Sequence, residues 1–254
     1  MVVLRSLFPL SGRADQPKLW LEFVVCAIAV VGCSENVNPT PPPLLRELVV
    51  SAGPSGAQRV LDQFNLDGTS VSILNDRDFL IEIWNGQVET PEWLSPKQAL
   101  YSNIRSTAGT KLALAQHNRI FLVPDPILIT IREFARQQLL EKRPLLENYS
   151  LLQDPSEQTA ITNAVLALGA VGAVADTSLL EETALVIADD HILQDILTAL
   201  AVSCEDEASE SIDRVIAARR NDLTIKLIAE LRVYRTTHLR SMCTNSGTGI
   251  EPPS

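Results

Sequence analysis

Three histidines, His117, His191 and His238, are the residues whose chemistry is easiest to test by spacing, and only one stands among carboxylates. Asp189-Asp190-His191, with Glu181 and Glu182 a few residues upstream, offers the oxygen and nitrogen donors that a divalent metal takes. No His-Glu-x-x-His occurs, and no second cluster carries ligand spacing. The aspartates are therefore read as caps at a helix start, where carboxylates accept backbone N–H bonds and suit the dipole. Phosphate chemistry fares no better. Gly169-Ala170-Val171-Gly172 follows no strand-like run and lacks the third glycine of a dinucleotide fingerprint. Residues 106–111 (STAGTK) lack the first glycine and the Gly-Lys pair of a phosphate loop. Gly53-Pro54-Ser55-Gly56 lacks the spacing of a nucleophile elbow. No catalytic residue, cofactor site or metal site is expected. An enzyme whose site cannot be read from sequence stays an alternative.

Composition narrows the field further. The 254 residues are 46% hydrophobic, 20% charged and 5% aromatic, with a formal net charge of −10. That is apolar enough for a packed core, too apolar for general disorder, and too acidic for a dedicated nucleic-acid binder. With few aromatic residues, Ala, Leu, Val and Ile must build the core. Helices are favoured.

The N-terminus carries Arg5, Arg13 and Lys18, then nine apolar residues at 23–31 (FVVCAIAVV), then Gly32, Cys33 and Ser34. A basic region, a short apolar run and a small-residue end are the parts of a secretory signal peptide. Val30-Val31-Gly32-Cys33 resembles the lipobox of bacterial lipoproteins. The resemblance implies a signal peptide over 1–32, cleavage before Cys33, lipid on its sulfur, and a cell-envelope protein anchored to a membrane. Residues 33–43 follow as a proline-rich linker (SENVNPTPPP after the cysteine), and such stretches act as semi-rigid spacers. The other reading makes the apolar run part of the core of a cytoplasmic adaptor. After cleavage, Cys204 and Cys243 remain. They either pair as a disulfide, as an oxidising envelope permits, or stay unpaired.

The elements that would position these residues divide at about residue 125. Over 44–124 the pattern predicts a small α+β module. One or two short helices lie at 44–64 around the Gly53-Pro54 break, and strands at 69–74 and 79–84. Asn85-Gly86 is a hairpin turn signal, and Ser95-Pro96 starts a helix that ends before Gly109. Residues 111–116 and 119–123 read as a second hairpin around His117-Asn118.

From 125 to 240 the expectation is mainly α: an antiparallel helical stack, HEAT-like or a plain bundle. An amphipathic helix spans 126–141, and Asp154-Pro155-Ser156-Glu157 opens another to 175. Ser178 opens a third, Asp189 or Asp190 a fourth, residues 205–207 a fifth and Asn221 a sixth. Residues 158–175 carry no charge, yet their Thr, Asn, Ala and Gly content suits a buried helix better than a membrane span. Gly169, Ala170, Gly172 and Ala173 would let a neighbour approach closely. There is weak similarity at a 32-residue offset: Ala167-Leu168 with Ala199-Leu200, Leu180 with Ile212, and Asp190 with Asp222. Residues 164–190 (AVLALGAVGAVADTSLLEETALVIADD) resemble one unit of the HEAT-like helical repeats, which implies a stack serving as a binding surface. Residues 241–254 are small, polar and proline-containing and are expected to be a disordered tail.

Charge is uneven: residues 141–210 hold fourteen acidic and two basic side chains, and 211–240 hold three acidic and seven basic. The function expected is therefore a lipid-anchored protein-binding module. Its partners would be a membrane, through lipid on Cys33, and an unidentified protein, met through Glu181, Glu182, Asp189 and Asp190. No nucleic acid is expected.

Overall fold

The computed structural model describes residues 44–64, 73–88, 91–97, 101–147, 154–220, 223–238 and 243. The expected signal peptide, Cys33, the linker and the tail past 243 lie outside them. The described residues form α1 (Leu45–Gln63), α2 (Ile73–Asn85), a 3₁₀ turn (Glu92–Leu94), α3 (Tyr101–His117), α4 (Asp125–Leu146), α5 (Pro155–Val171), α6 (Val174–Val186), α7 (Asp190–Val202), α8 (Glu207–Ala218) and α9 (Ile225–His238). No strand occurs among them.

The small α+β module is thereby corrected: the described parts of 44–124 are helical. Residues 79–84 were expected as a strand because Phe79, Ile81 and Ile83 alternate. Instead α2 buries Asp76, Phe79, Leu80, Ile83 and Trp84, the i, i+3, i+4, i+7, i+8 stripe of an amphipathic helix. Both expected hairpin turns are helix C-caps. Gly86 adopts φ 70°; its N–H donates to Ile83 O at 3.1 Å and the Gln87 N–H reaches back to Glu82 O at 2.9 Å, the paired bonds of a Schellman ending. Arg119, with φ 55°, ends α3 the same way, through Arg119 N to Gln116 O at 3.0 Å and Ile120 N to Ala115 O at 2.9 Å. Residues 69–72 of the other expected strand lie outside the described residues.

Helix α1 breaks at Gly53 (φ 66°), where Pro54 follows, as the Gly-Pro pair implied. Helix α3 does not stop before Gly109. It runs through, because a Cβ there would lie 2.7 Å from Cζ3 of Trp84: the glycine seats the indole of α2. The Trp84 ring also meets Phe134 of α4 edge-on at 5.4 Å and donates from Nε1 to Thr130 Oγ1 at 3.0 Å. Arg105 stacks over it at 4.4 Å.

Beyond residue 125 the expected helices are present, with shifted ends. Helix α5 starts where Asp154 accepts from the Ser156 N–H at 2.8 Å and ends at Val171 rather than 175. Helix α6 starts at Val174, four residues ahead of Ser178, because Asp176 Oδ2 accepts from the Ala173 N–H at 2.9 Å. Asp189 is the cap of α7, accepting from His191 N at 2.8 Å and Ile192 N at 2.9 Å. Asn221 lies outside the described residues.

The order of packing is regular. Helices α1, α3, α5, α7 and α9 pack each on the next, and α4, α6 and α8 do the same in a second row. Consecutive helices join the rows, most extensively α2 with α3 and α4 with α5. Helix α5 sits inside, buried from 163 to 169, which accounts for its uncharged sequence. At Gly169 a Cβ would fall 2.6 Å from the carbonyl oxygen of Ala199 and 2.7 Å from its Cα, so α5 and α7 touch backbone to backbone. The apolar pairs at the 32-residue offset are buried, Ala167, Leu168 and Leu180 against Ala199, Leu200 and Ile212; Asp190 is exposed and Asp222 lies outside the described residues.

Candidate interaction surface

Polar side chains tie each helix to its row neighbour. Between α3 and α5, Thr110 Oγ1 donates to Asn163 O at 3.0 Å, and Asn163 Nδ2 to Thr107 Oγ1 at 2.9 Å. Between α5 and α7, Thr162 Oγ1 donates to Asp195 Oδ2 at 2.8 Å. Burial raises the Asp195 carboxyl above the ordinary carboxylate range. Between α4 and α6, Arg132 Nε and Arg136 Nη1 donate to the two oxygens of Asp176 at 2.5 and 2.8 Å. Burial would raise Asp176, but the Ala173 N–H and the two guanidinium groups hold it below the ordinary range. At one end, Lys111 Nζ closes the α1 C-terminus through Asp62 O at 3.0 Å and Phe64 O at 2.9 Å. Desolvation lowers this amine and raises the nearby Asp62 carboxyl.

The four acidic residues expected to meet a partner take different roles. Glu181 faces α8: Arg214 donates Nε to Oε1 at 2.6 Å and Nη2 to Oε2 at 2.7 Å, and Ser211 Oγ adds a third bond at 2.7 Å. The guanidinium holds this carboxyl below its usual value. Asp189 is only 4% exposed and its Oδ1 is occupied as the α7 cap. Glu182 and Asp190 are exposed; Glu182 accepts from Arg143 Nη1 at 3.1 Å. Two of the four thus present free edges to solvent, and two are built into the stack.

What lies beside Glu182 went unremarked in the sequence. The α4–α6–α8 row exposes Ile129 and Leu140 on α4 and Val174 and Leu185 on α6, together with the acidic Glu133, Glu141, Glu207 and Glu210. In the other row, α5 has no exposed residue from 157 to 171. The outward face of α4, α6 and α8 is therefore the candidate interaction surface: apolar side chains interleaved with carboxylates. Period alone could have suggested it, since Ile129 and Leu140 fall off the buried Ile131–Ala135–Leu139 stripe of α4.

A shallow groove lies between α2 and the α3–α4 link, lined by Arg77, Asp78, Ile81, Leu122 and Val123; Arg77 and Asp78 bond each other there at 2.8 and 2.9 Å. Among the described residues no group of three His, Cys, Asp or Glu could hold a metal, and no helix is long and apolar enough to cross a membrane. Cys204 and Cys243 are joined by a disulfide with Cα atoms 5.4 Å apart, within the ordinary span of such bonds. No protein-family model matches this chain, and neither does any curated protein or solved structure.

Proposed function

We propose that this chain is a lipid-anchored cell-envelope protein whose stacked helices form a protein-binding module. The anchor rests on the apolar run at 23–31 and the lipobox-like Val30-Val31-Gly32-Cys33. Several acyl chains acting together hold a protein stably, where one does so marginally. The binding module rests on the packing of every second helix in two rows, the order found in HEAT-like stacks, which present one extended face to a partner. The observation that carries it is the outward row, where Ile129, Leu140, Val174 and Leu185 are exposed among carboxylates. Such a mixed face suits a partner with an apolar ridge flanked by basic side chains, and its capture weakens as salt screens charges over about 8–10 Å.

Intact-mass analysis of the membrane fraction tests the anchor: cleavage before Cys33 with acylation is expected, and Cys33→Ala abolishes it. A soluble, full-length, unmodified chain overturns the anchor. A photo-crosslinking residue at Leu140 or Leu185 tests the surface in intact cells. One discrete protein adduct is expected, diminished by Glu182→Lys with Asp190→Lys. No adduct at either position removes this face.

A further inference from the structure

The last helix is held differently from the others. Helix α7 is covered by α5, α6, α8 and α9, whereas α9 packs on α7, and no described helix covers its far side. Ile225 is 87% and Val233 68% exposed, and Ala229 between them is exposed too. On its inner side only Leu231 is fully buried among the apolar residues, with Leu227, Ile228 and Tyr234 partly so.

Arg232 Nη2 also donates to Asp213 of α8 at 3.0 Å, with both side chains largely exposed, and the buried polar hold gathers at one corner, where α7 ends and the link to α8 begins. Arg235 of α9 is 5% exposed. Its guanidinium donates to Ser203 O, to Glu205 O at 2.6 Å and to Ser209 Oγ at 3.0 Å. The Cys204–Cys243 bond closes that same corner, and Cys204 is exposed there. Arginine and disulfide fasten the chain at and beyond the end of α9 to the end of α7, and the cysteine on the α7 side is an exposed residue. Exposed disulfides are the ones open to thiol exchange.

We propose that Cys204–Cys243 is a redox latch on α9. A dithiol reductant opens it, freeing α9 from α7 while α1 to α8 stay folded. A reductant thiolate attacks Sγ of the exposed residue Cys204, and the S–S bond breaks. Cys243 leaves as a thiolate and takes a proton. The reductant's second thiol, as its thiolate, then displaces the Cys204 sulfur, so the chain gains two electrons and two protons and the dithiol becomes a cyclic disulfide. Release bares the carbonyls that Arg235 occupied and the α7 surface beneath α9, and extends the inner row by a new edge.

Hydrogen–deuterium exchange on the full chain, oxidised and then treated with dithiothreitol, tests this. Amides of 225–238 should exchange at least tenfold faster after reduction, while those of 161–169 in α5 hold their rates. Cys243→Ser should show the fast α9 exchange without reductant and no response to it. Rates in α9 within twofold before and after reduction of the wild-type chain overturn the latch. So does an equal rise in α5, which would make the bond a staple of the whole stack, and so does a free thiol at Cys204 or Cys243, located by peptide mapping, in the air-oxidised protein.

Discussion

Gly169 gives up its side chain to the backbone of Ala199. The space a Cβ would fill is taken by the Ala199 carbonyl oxygen and Cα at 2.6 and 2.7 Å. Backbone cannot swing aside as a long side chain can. Gly169→Ala should therefore destabilise the stack by about 1–3 kcal/mol despite the better helix propensity of alanine. Urea unfolding followed by circular dichroism measures it, and a gain in stability would mean that α5 and α7 are further apart.

Gly86 separates the helical account of residues 73–88 from a hairpin. Its φ of 70° and the Pro96 Cγ waiting 2.9 Å from a Cβ both penalise a side chain. Gly86→Ala is expected to cost about 1–2 kcal/mol. The matching change at Gly53, where nothing lies within 4 Å of a Cβ, meets only the backbone penalty. The ordering of the two thermal midpoints checks this.

Asp176 sets an acid limit. Its folded carboxyl is held below the unfolded value, so its contribution is complete at pH values above about 4 and lost as pH falls through the folded value. Glu181 acts with the same sign. Asp62 and Asp195, raised by burial, act oppositely: their ionised forms are disfavoured near neutrality, and mild acidification relieves them. Stability should rise slightly as pH falls through the raised folded values of Asp62 and Asp195 and then fall below about pH 4. Asp176→Asn should cost about 1–2 kcal/mol at pH 7, with Arg132 and Arg136 both partly solvated. That cost should shrink toward zero at pH 2. A difference independent of pH would remove the charge from the account of this site.

The helices past residue 125 were legible because their start signals are chemical. Asp154 before Pro155 and Asp189 before the apolar run of α7 satisfy N–H groups whatever the tertiary context. Before 125 the signals are ambiguous. The run at 79–84 (FLIEIW) fits both a period of two and a helical stripe, and Asn85-Gly86 suits a left-handed residue whether a hairpin or a helix end needs it. Packing decides: Trp84 finds its seat on Gly109, 25 positions away in sequence. The candidate surface was half legible. Charge counting finds Glu181, Glu182, Asp189 and Asp190 but cannot tell Glu181, gripped by Arg214, from Glu182, which is open to solvent. Asp176 was missed because a lone charge in an apolar stretch looks the same whether it caps a helix inside or faces water, and Arg235 because it is one of seven basic residues at 211–240, which charge counting cannot tell apart.

From α5 onward the bonds between α5 and α7, α6 and α8, and α7 and α9 share one spacing along the chain, whereas those between earlier row neighbours span 39 to 56 residues. Thr162 reaches Asp195 across 33 residues, Arg214 reaches Glu181 across 33, Arg219 reaches Ile187 across 32, and Arg235 reaches Ser203 across 32. From α5 onward each helix therefore meets its row neighbour across a stretch of about 32 residues, Thr162 donating forward and Arg214, Arg219 and Arg235 donating back. Duplicating such a stretch would recreate both of its own junctions without altering the rest, and deleting one would rejoin compatible ends. A chain written this way can change length over evolution by whole turns of the stack, lengthening its outer face at each step.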